Sequence, residues 1–164
     1  MTSRFQDNLK DWYKISGASG KGIKLDKNFK RHMIMPASRI LILGPSGCGK
    51  TTAVIDWMQR MGPHFYRIIW FSASTTDEPL VKFLQDHVDG LELYDDIDQL
   101  PDLTEMETED DKNQPKLIVF DDFINLPKKQ MSKIQKWINS SRKFGYTCIL
   151  QAQNIVDTPT QIRI

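Results

Sequence analysis

The sequence predicts an α/β fold with a largely parallel sheet, and two observations indicate this class. Short runs of β-branched and aromatic residues alternate along the chain with longer segments whose apolar residues recur at helical spacing. The short runs are apolar at nearly every position, which is typical of strands covered by helices on both faces. With 164 residues, 40% hydrophobic and 26% charged, the chain is long enough for one domain with a substantial core.

The first half of the chain contains two strand–helix units. Residues 39–43 predict a strand that is buried on both faces, and residues 50–61 predict a helix that ends at Gly62. A second strand is expected over residues 66–71 and a second helix over residues 78–88. Because each strand is followed by a helix, the connections are the crossovers that parallel strands need.

The second half continues the pattern after an irregular stretch. Residues 91–103 predict a short edge strand or a loop, and residues 104–114 predict a polar surface insertion. A third strand is expected over residues 116–120, a helix over 127–145 and a fourth strand over 146–150. The order of elements therefore predicts helices on the faces of a mostly parallel sheet.

Charge is distributed along the chain in blocks. The formal net charge of +1 by itself argues against a protein that binds nucleic acid through a basic arm. Residues 1–39, however, carry nine basic and three acidic side chains, and residues 127–145 carry six basic and no acidic ones. Residues 76–115 carry fourteen acidic and two basic side chains. The small total is a cancellation, so the basic blocks keep a nucleic-acid partner open.

Composition also divides the chain and excludes some classes of protein. We expect a basic N-terminal segment over residues 1–37 and a core domain over 38–164, with an acidic insertion at about residues 91–115. No apolar run approaches the ~18 residues of a membrane-spanning helix, so no membrane partner is expected. The two cysteines, Cys48 and Cys148, are too few and too far apart in sequence to predict a disulfide scaffold or a zinc site.

The residues after the first strand match the phosphate-binding motif G-x-x-x-x-G-K-[ST], the P-loop. Glycines allow consecutive backbone N–H groups to turn toward a phosphate, and the helix that follows directs its positive dipole at the same anion. Lys50 can reach the β- and γ-phosphates, and the hydroxyl of Thr51 can bind Mg²⁺. The expected nucleotide-binding residues are Gly44, Pro45, Ser46, Gly47, Cys48, Gly49, Lys50, Thr51 and Thr52.

The alternative interpretation of this motif is a glycine-rich turn without a ligand. The motif lies between a predicted buried strand and a predicted helix, which is the context that phosphate binding requires, and this favours a nucleotide site. Cys48 fits a small residue that faces away from the phosphate better than it fits a redox switch.

Two carboxylates, Asp121 and Asp122, follow the third predicted strand. We expect Asp121 to hold Mg²⁺ through a water molecule and Asp122 to polarise the attacking water. A pair of acids in a turn is common in isolation. Here a fully apolar strand delivers both side chains to the carboxyl edge of the sheet, where ligands bind in open α/β folds.

Weaker candidates accompany the fourth predicted strand. Gln153 follows this strand, where an amide could sense the γ-phosphate or orient water, although a polar residue at a strand end is often only a loop residue. Arg142 precedes the strand, and it is either a cation that favours the end of a helix or an arginine donated to a neighbouring subunit's phosphate.

The helix predicted over 127–145 also carries a basic face. This face could follow a nucleic-acid backbone, or it could be only the solvated side of an amphipathic helix. Its members are Lys128, Lys129, Lys133, Lys136 and Lys143.

Together these motifs resemble the FtsK–HerA superfamily of ring ATPases over residues 38–163. The similarity rests on the P-loop, on the strand that ends in Asp121-Asp122, and on the segments SRKFG, ILQAQ and TPTQIR. It is most specific to the DNA-packaging branch found in large eukaryotic DNA viruses and virophages, the poxvirus-type packaging ATPases. The segment ELYDDIDQLP, residues 92–101, is similar to one that recurs in that branch.

The resemblance implies a virus-encoded, ATP- and Mg²⁺-dependent ATPase that translocates double-stranded DNA into a preformed capsid as a ring of subunits. It implies that Gln153 is the sensor glutamine and that Arg142 is supplied to the adjacent subunit. Asp122 stands where many relatives carry glutamate. The implied partners are double-stranded DNA, further copies of the chain and a component of the capsid or its portal. The implied location is the viral factory in the host cytoplasm, and the virion.

The resemblance also implies a P-loop NTPase fold of the RecA-like (ASCE) type, a three-layer sandwich whose strands are ordered 5-1-4-3-2. The fifth strand would begin near Ile162, two residues before the sequence stops. We therefore expect the final strand to be missing, through a fragment, an interrupted reading frame or a partner that supplies it. The strand over residues 39–43 would then be an unprotected edge.

Three alternatives share the P-loop. A small P-loop kinase is compatible with it, although no arginine-rich lid is visible in the sequence. An ABC-type ATPase would need an LSGGQ-like signature between the two motifs, and the sequence contains none. A non-enzymatic alternative is an assembly module that binds ATP without turning it over.

Overall fold

The computed structural model describes residues 25, 27–73, 79–105, 114–123, 125–155 and 158. Within this part of the chain, five parallel strands form one sheet in the order β1-β5-β4-β2-β3. The strands are β1 Arg39–Leu43, β2 Arg67–Ser72, β3 Leu91–Tyr94, β4 Lys116–Asp121 and β5 Tyr146–Ala152. The four strands predicted from apolar runs are present as β1, β2, β4 and β5. When these four are numbered one to four along the chain, they lie side by side as 1-4-3-2, which is the order that the resemblance implies for them.

The helices lie in the connections between the strands. They are α1 Phe29–His32, α2 Lys50–Met61, α3 Pro79–His87 and α4 Lys128–Ser140, followed by a 3-10 turn over Ser141–Phe144. The helix predicted over 127–145 therefore stops five residues early. Gly145 adopts a left-handed conformation with φ +76°, and its N–H donates to the carbonyl of Arg142, which tightens the chain into the 3-10 turn.

Helix α4 covers one face of the sheet. Its buried residues Met131, Ile134, Trp137 and Ile138 pack in one cluster with inward-facing residues of β2, β4 and β5. The rings of Trp137 and Tyr146 meet edge to face with centroids 5.3 Å apart. This cluster is the larger of the two cores formed by the described residues, and burial of its apolar area stabilises the layer.

Helices α2 and α3 cover the opposite face. Val54 of α2 and Leu84 of α3 are buried in a second cluster with Trp70, Val119 and Ile149 of the sheet. Because helices lie on both faces, the fold is the three-layer α/β arrangement that the sequence predicted.

Strand β1 is the outer strand of the described sheet. Its burial pattern leaves Arg39 and Leu43 exposed, so the expectation that residues 39–43 are buried on both faces is wrong for this part of the structure. Among the described residues, β5 is the strand that pairs with β1. The residues expected to begin the final strand, near Ile162, lie outside the described residues, as do residues 1–24 and 106–113.

The acidic stretch after α3 contributes to the fold more than its composition predicted. Strand β3 pairs with β2, which confirms the short edge strand as one of the two expectations for residues 91–103. Beyond it, Ile97, Leu100 and Leu103 are buried in the cluster under α4. The side chains of Arg67 and Glu92 form an ion pair between the two strands. The described part of this stretch is therefore anchored to the core.

Candidate functional site at the carboxyl edge of the sheet

The sheet order brings three predicted sites to one place. Strands β1, β5 and β4 are neighbours and run in the same direction, so the segments that follow them emerge at the same edge. The P-loop follows β1, the carboxylates end β4 and Gln153 follows β5. We call this region the carboxyl edge, and we call the opposite end of the same strands the amino edge.

The P-loop turns through two glycines in the left-handed region. Gly47 has φ +75° and Gly49 has φ +89°, a conformation that costs little free energy only without a Cβ. Helix α2 begins at the next residue, Lys50. The loop is fixed to β5, because the N–H of Gly44 donates to the carbonyl of Ala152 at 3.1 Å. The loop thus presents its backbone at the N-terminus of a twelve-residue helix, where anions are favoured.

Cys48 lies against the start of the loop. A Cβ added to Gly44 would lie 2.5 Å from the Sγ of Cys48, so this position has no room for a larger residue unless the loop shifts. Cys48 is exposed, and it is absent from the residues that line the cavity described below. This placement agrees with a small residue that faces away from the phosphate.

The side chain of Lys50 folds back over the P-loop. Its Nζ donates to the carbonyl of Gly44 at 2.8 Å and to that of Pro45 at 3.1 Å. The two carbonyls hold the ammonium over the curve of the loop, where a phosphate would lie. A phosphate oxygen, which carries a full negative charge, is a stronger acceptor for this ammonium than either carbonyl.

Thr51 and Asp121 face each other between α2 and β4. The Oγ1 of Thr51 lies 3.5 Å from the Oδ2 of Asp121, at the outer limit of a hydrogen bond. Asp121 is 8% exposed and pairs in register with Ser72 of β2. A hydroxyl and a carboxylate at this separation are ligands that Mg²⁺ accepts, directly or through water, together with phosphate oxygens.

Asp122 occupies a strained position directly after β4. Its φ is +51°, in the left-handed region that non-glycine residues rarely adopt. The strain turns the chain so that Asp122 lines the cavity while Phe123 is buried in the core under α4. Strained residues of this kind cluster at functional sites because the surrounding structure must hold them in place.

A cavity of about 480 Å³ joins these residues, and this volume is within the usual range for small-molecule sites. Most of the predicted site residues that the structure describes lie around it. Its lining consists of Ser46, Gly47, Gly49, Lys50, Thr51, Thr52, Leu80, Asp121, Asp122 and Gln153. Glycine backbone, one lysine, three hydroxyls and two carboxylates around one cavity fit a Mg²⁺–nucleotide complex.

Arg142 lies away from this cavity. It is exposed on the 3-10 turn that precedes β5, so the length of β5 separates it from the P-loop. Seven residues of parallel strand span about 20 Å. Within this chain, Arg142 and the cavity therefore lie at opposite ends of β5, Arg142 at the amino edge and the cavity at the carboxyl edge.

The turn that carries Arg142 is held by Lys116 at the start of β4. The Nζ of Lys116 donates to the carbonyl of Phe144 at 3.1 Å and lies 5.3 Å from the centroid of the Tyr146 ring. Lys116 is 1% exposed, and a buried ammonium requires such partners. The strand that ends in the site carboxylates therefore begins at the support of the Arg142 turn.

Two residues near the cavity were not predicted from the sequence. Leu80 lines the cavity from α3, and no motif marks it. Gln151 is buried in β5. Its spacing of two from Ile149 could have predicted this, because it places both side chains on the face of the sheet that α2 covers. The sequence motif drew attention to Gln153 instead, which the structure places at the exposed rim.

The family assignment follows from a match over most of the chain. The family model of the Poxvirus A32 protein matches residues 26–164. The chain belongs to the Poxvirus A32 protein family. This confirms the resemblance to the poxvirus-type branch. No curated protein matches the chain.

Two solved structures are similar to this chain at low sequence identity. The conjugation coupling protein TcpA of pCW3, in its monomer form with ATPgS, is 11% identical with a TM-score of 0.54 over 77% of this chain. The chain spans 46% of the length of TcpA. EccC of Thermomonospora curvata (ATPases 2 and 3, with a signal sequence peptide) is 15% identical with a TM-score of 0.44, and the match covers 71% of this chain and 25% of EccC. The TcpA likeness supports the P-loop ATPase fold.

The described residues contain neither a candidate membrane-spanning helix nor a cluster of metal-binding side chains. None of their helices combines the length and apolar character needed to cross a membrane. In the same ranges, no group of three or more His, Cys, Asp or Glu side chains could hold a metal ion. Mg²⁺ in nucleotide sites needs no such group, because one or two protein ligands and the phosphates suffice.

Proposed function

We propose that this protein is the ATP-hydrolysing motor of viral genome packaging, translocating double-stranded DNA into a preformed capsid. One observation carries the proposal: the P-loop, Thr51, Asp121, Asp122 and Gln153 line a single cavity at the carboxyl edge. Membership in the Poxvirus A32 protein family supports it. An ATPase needs a phosphate cradle, a metal site and a group that acts on water, and the cavity contains a candidate for each.

The P-loop and Lys50 bind the triphosphate in this proposal. The backbone N–H groups from Ser46 to Gly49 donate to the phosphates, and Lys50 exchanges its two carbonyl acceptors for oxygens of the β- and γ-phosphates. Thr51 and Asp121 hold Mg²⁺, which neutralises charge on the phosphates when it is bound. Thr52 completes the cradle in the first turn of α2.

Asp122 and Gln153 act on the γ-phosphate side of the cavity. Asp122 accepts a hydrogen bond from the attacking water and orients it, while the amide of Gln153 contacts the γ-phosphate from the rim. The conformation of Asp122 supports this assignment, because the φ of +51° presents its short side chain to the cavity rather than to the core.

Arg142 acts in the neighbouring subunit of a ring. Because it lies at the opposite edge from its own cavity, it could reach a γ-phosphate only in an adjacent copy of the chain. An arginine supplied in this way stabilises the charge that develops in phosphoryl transfer. Lys116 supports the proposal by holding the turn that presents it.

The basic face of α4 and the turn after it contacts double-stranded DNA in this model of function. Lys128, Lys129, Lys136 and Lys143 are exposed, and Lys133 is half-buried with its Nζ donating to the carbonyl of Asp98. No acidic residue interrupts the helix. Lysines in such an array bind the phosphate backbone without reading sequence, as a packaging motor requires. The basic segment 1–37 adds to this positive charge. In the same proposal, the docking partner is a component of the capsid or its portal. The protein acts in the viral factory and in the virion.

Phosphate release measured with and without double-stranded DNA tests the proposal. We expect hydrolysis that requires Mg²⁺ and increases with DNA, and we expect Lys50→Ala and Asp122→Ala to abolish it. The control variant Asp56→Ala removes an exposed carboxylate from α2, where it forms a surface ion pair with Arg60, and it should hydrolyse ATP like wild type.

Two other results would favour the alternatives. Turnover that depends on a small acceptor molecule and ignores DNA would indicate a P-loop kinase. ATP binding without release of phosphate, under all conditions with DNA and Mg²⁺, would indicate a nucleotide-binding assembly module.

A further inference from the structure

Gln151 has a buried amide without a partner beside the candidate metal site. Its side chain is 1% exposed, and neither Oε1 nor Nε2 forms a hydrogen bond among the described residues. Nearly all buried polar groups in proteins are paired, because leaving them unpaired costs free energy. A buried glutamine in this state therefore needs an explanation that core packing does not give.

The sheet register places this amide between the P-loop strand and the carboxylate. Gln151 pairs with Ile42 of β1 on one side. On the other side the register of β4 and β5 runs to Phe120 opposite Leu150, so the next position sets Asp121 beside Gln151. Both strands continue through these residues.

The two side chains also share a face of the sheet. Ile149, two residues before Gln151, belongs to the cluster that contains Val54 of α2, and so does Val119, two residues before Asp121. Alternation along each strand then directs the amide and the carboxylate toward α2, on the face that Thr51 approaches. Gln151 is thus separated from Gln153, which lies at the exposed rim.

The chemistry of the two groups is complementary. A carboxylate accepts up to about four hydrogen bonds, and a primary amide donates two. The Oδ2 of Asp121 lies 3.5 Å from the hydroxyl of Thr51, at the outer limit of a hydrogen bond. A donor from the adjacent strand would fix its orientation in the way that outer groups orient the ligands of metal ions.

We propose that Gln151 is a positioning residue for Asp121. Its Nε2 donates to the carboxylate when Thr51 and Asp121 engage Mg²⁺, and this holds the carboxylate in the orientation that the metal needs. The inference rests on the proposed function, because it assumes that Asp121 is the metal-binding carboxylate. It assigns a role to a residue that touches neither the nucleotide nor the metal.

The variant Gln151→Met tests the proposal, because methionine has a similar length and no hydrogen-bonding amide. We expect the Mg²⁺ concentration for half-maximal hydrolysis to rise about tenfold. We expect the Tm of the nucleotide-free chain to stay level or to increase, because the substitution removes an unpaired buried amide. A purely structural role would instead lower the Tm and leave the Mg²⁺ requirement unchanged.

Thr147→Val is the matched control. Thr147 lies on the same strand and face as Gln151 and is also buried, but its Oγ1 accepts a hydrogen bond from the N–H of Ala37 at 3.1 Å. Removing that hydroxyl should lower the Tm and leave the Mg²⁺ requirement unchanged.

Two outcomes would overturn the proposal. One is an unchanged Mg²⁺ requirement in Gln151→Met. The other is a loss of Tm as large as that of Thr147→Val, because the amide would then have a structural partner in the nucleotide-free chain. The Mg²⁺ dependence of binding a fluorescent ATP analogue separates this test from the proposed function. If wild type binds the analogue with Mg²⁺ but releases no phosphate, the motor proposal fails while the Gln151 test still gives its answer.

Discussion

The two ends of strands β4 and β5 satisfy their polar groups differently. At the amino end of these two strands, a left-handed position is taken by Gly145, and the buried ammonium of Lys116 has both a carbonyl and an aromatic partner. At the carboxyl edge, a left-handed position is taken by Asp122, and the buried amide of Gln151 has no partner among the described residues. The same strands, β4 and β5, connect these two environments.

The difference indicates where the chain accepts a cost for function. Glycine at a positive φ and a paired buried cation are the arrangements that stability favours. A strained aspartate and an unpaired amide reduce stability, and they persist where a ligand is expected to bind. In the proposed function, the amino end of these strands presents an arginine and the carboxyl end receives a nucleotide.

The largest expected effect is the loss of hydrolysis when Arg142, at the amino edge, is replaced. Arg142→Ala should reduce hydrolysis by about 10³-fold while leaving nucleotide affinity unchanged, because the arginine lies far from its own cavity. Steady-state phosphate release and binding of a fluorescent nucleotide measure the two quantities. Lys143, the exposed cation next to Arg142, provides the control. The variant Lys143→Ala should hydrolyse ATP at nearly the wild-type rate without DNA. A loss of affinity equal to the loss of rate would place Arg142 at its own site.

The two cysteines differ in exposure, because Cys48 lies in the P-loop and Cys148 lies in the interior of β5. Burial raises the pKa of the Cys148 thiol to about 12, whereas Cys48 is exposed in the P-loop. Iodoacetamide followed by mass spectrometry should show Cys48 modified at least about 10²-fold faster than Cys148 in the folded chain. Equal rates would contradict the burial of Cys148, and Cys48→Ser should remove the fast reaction.

The same thiol makes stability depend on pH in the alkaline range. In the unfolded chain Cys148 titrates near its ordinary value of 9.0, whereas the folded chain keeps the proton up to about 12. The unfolded state therefore loses the proton first, and the free energy of unfolding should fall as the pH rises from 9 toward 12.

The fold could be predicted largely because the strands of a covered parallel sheet are apolar at every position. The run KLIVF identified β4, and the P-loop fixed the start of α2 at Lys50. The contribution of residues 97–103 was not predicted, because three apolar side chains at every third position, among acids and a proline, are too few to define a helix or a strand. Their burial depends on contacts with α4, which are distant in sequence.

The site could be predicted where a motif fixes the backbone. Lys50, Thr51 and Asp121 follow from spacing, and the structure brings them together. The separation of Arg142 from the cavity needed the sheet order, because nothing in the sequence says which edge a turn occupies. The burial of Gln151 needed the register, since the glutamines at 151 and 153, one residue apart, look alike in sequence.

The smallest expected effect is the difference in unfolding free energy between two glycine variants, one at each edge of the sheet. Gly47→Ala adds a Cβ in open space and should cost about 1 kcal/mol from the positive φ alone. Gly145→Ala carries the same strain, and its Cβ would lie 3.2 Å from the carbonyl of Gln114, so it should cost about 2 kcal/mol. Denaturant unfolding measures both. Equal costs would mean that the amino edge relaxes freely around the added atom.

Mixing two inactive variants tests most directly whether one subunit's cavity is completed by the amino edge of the next. Lys50→Ala lacks a working cavity but keeps Arg142, whereas Arg142→Ala keeps a working cavity. In an equal mixture, about a quarter of the sites pair an intact cavity with an intact arginine, so hydrolysis without DNA should recover to a fraction of the wild-type rate near that value. A mixture that releases no more phosphate than the two variants alone would contradict the account.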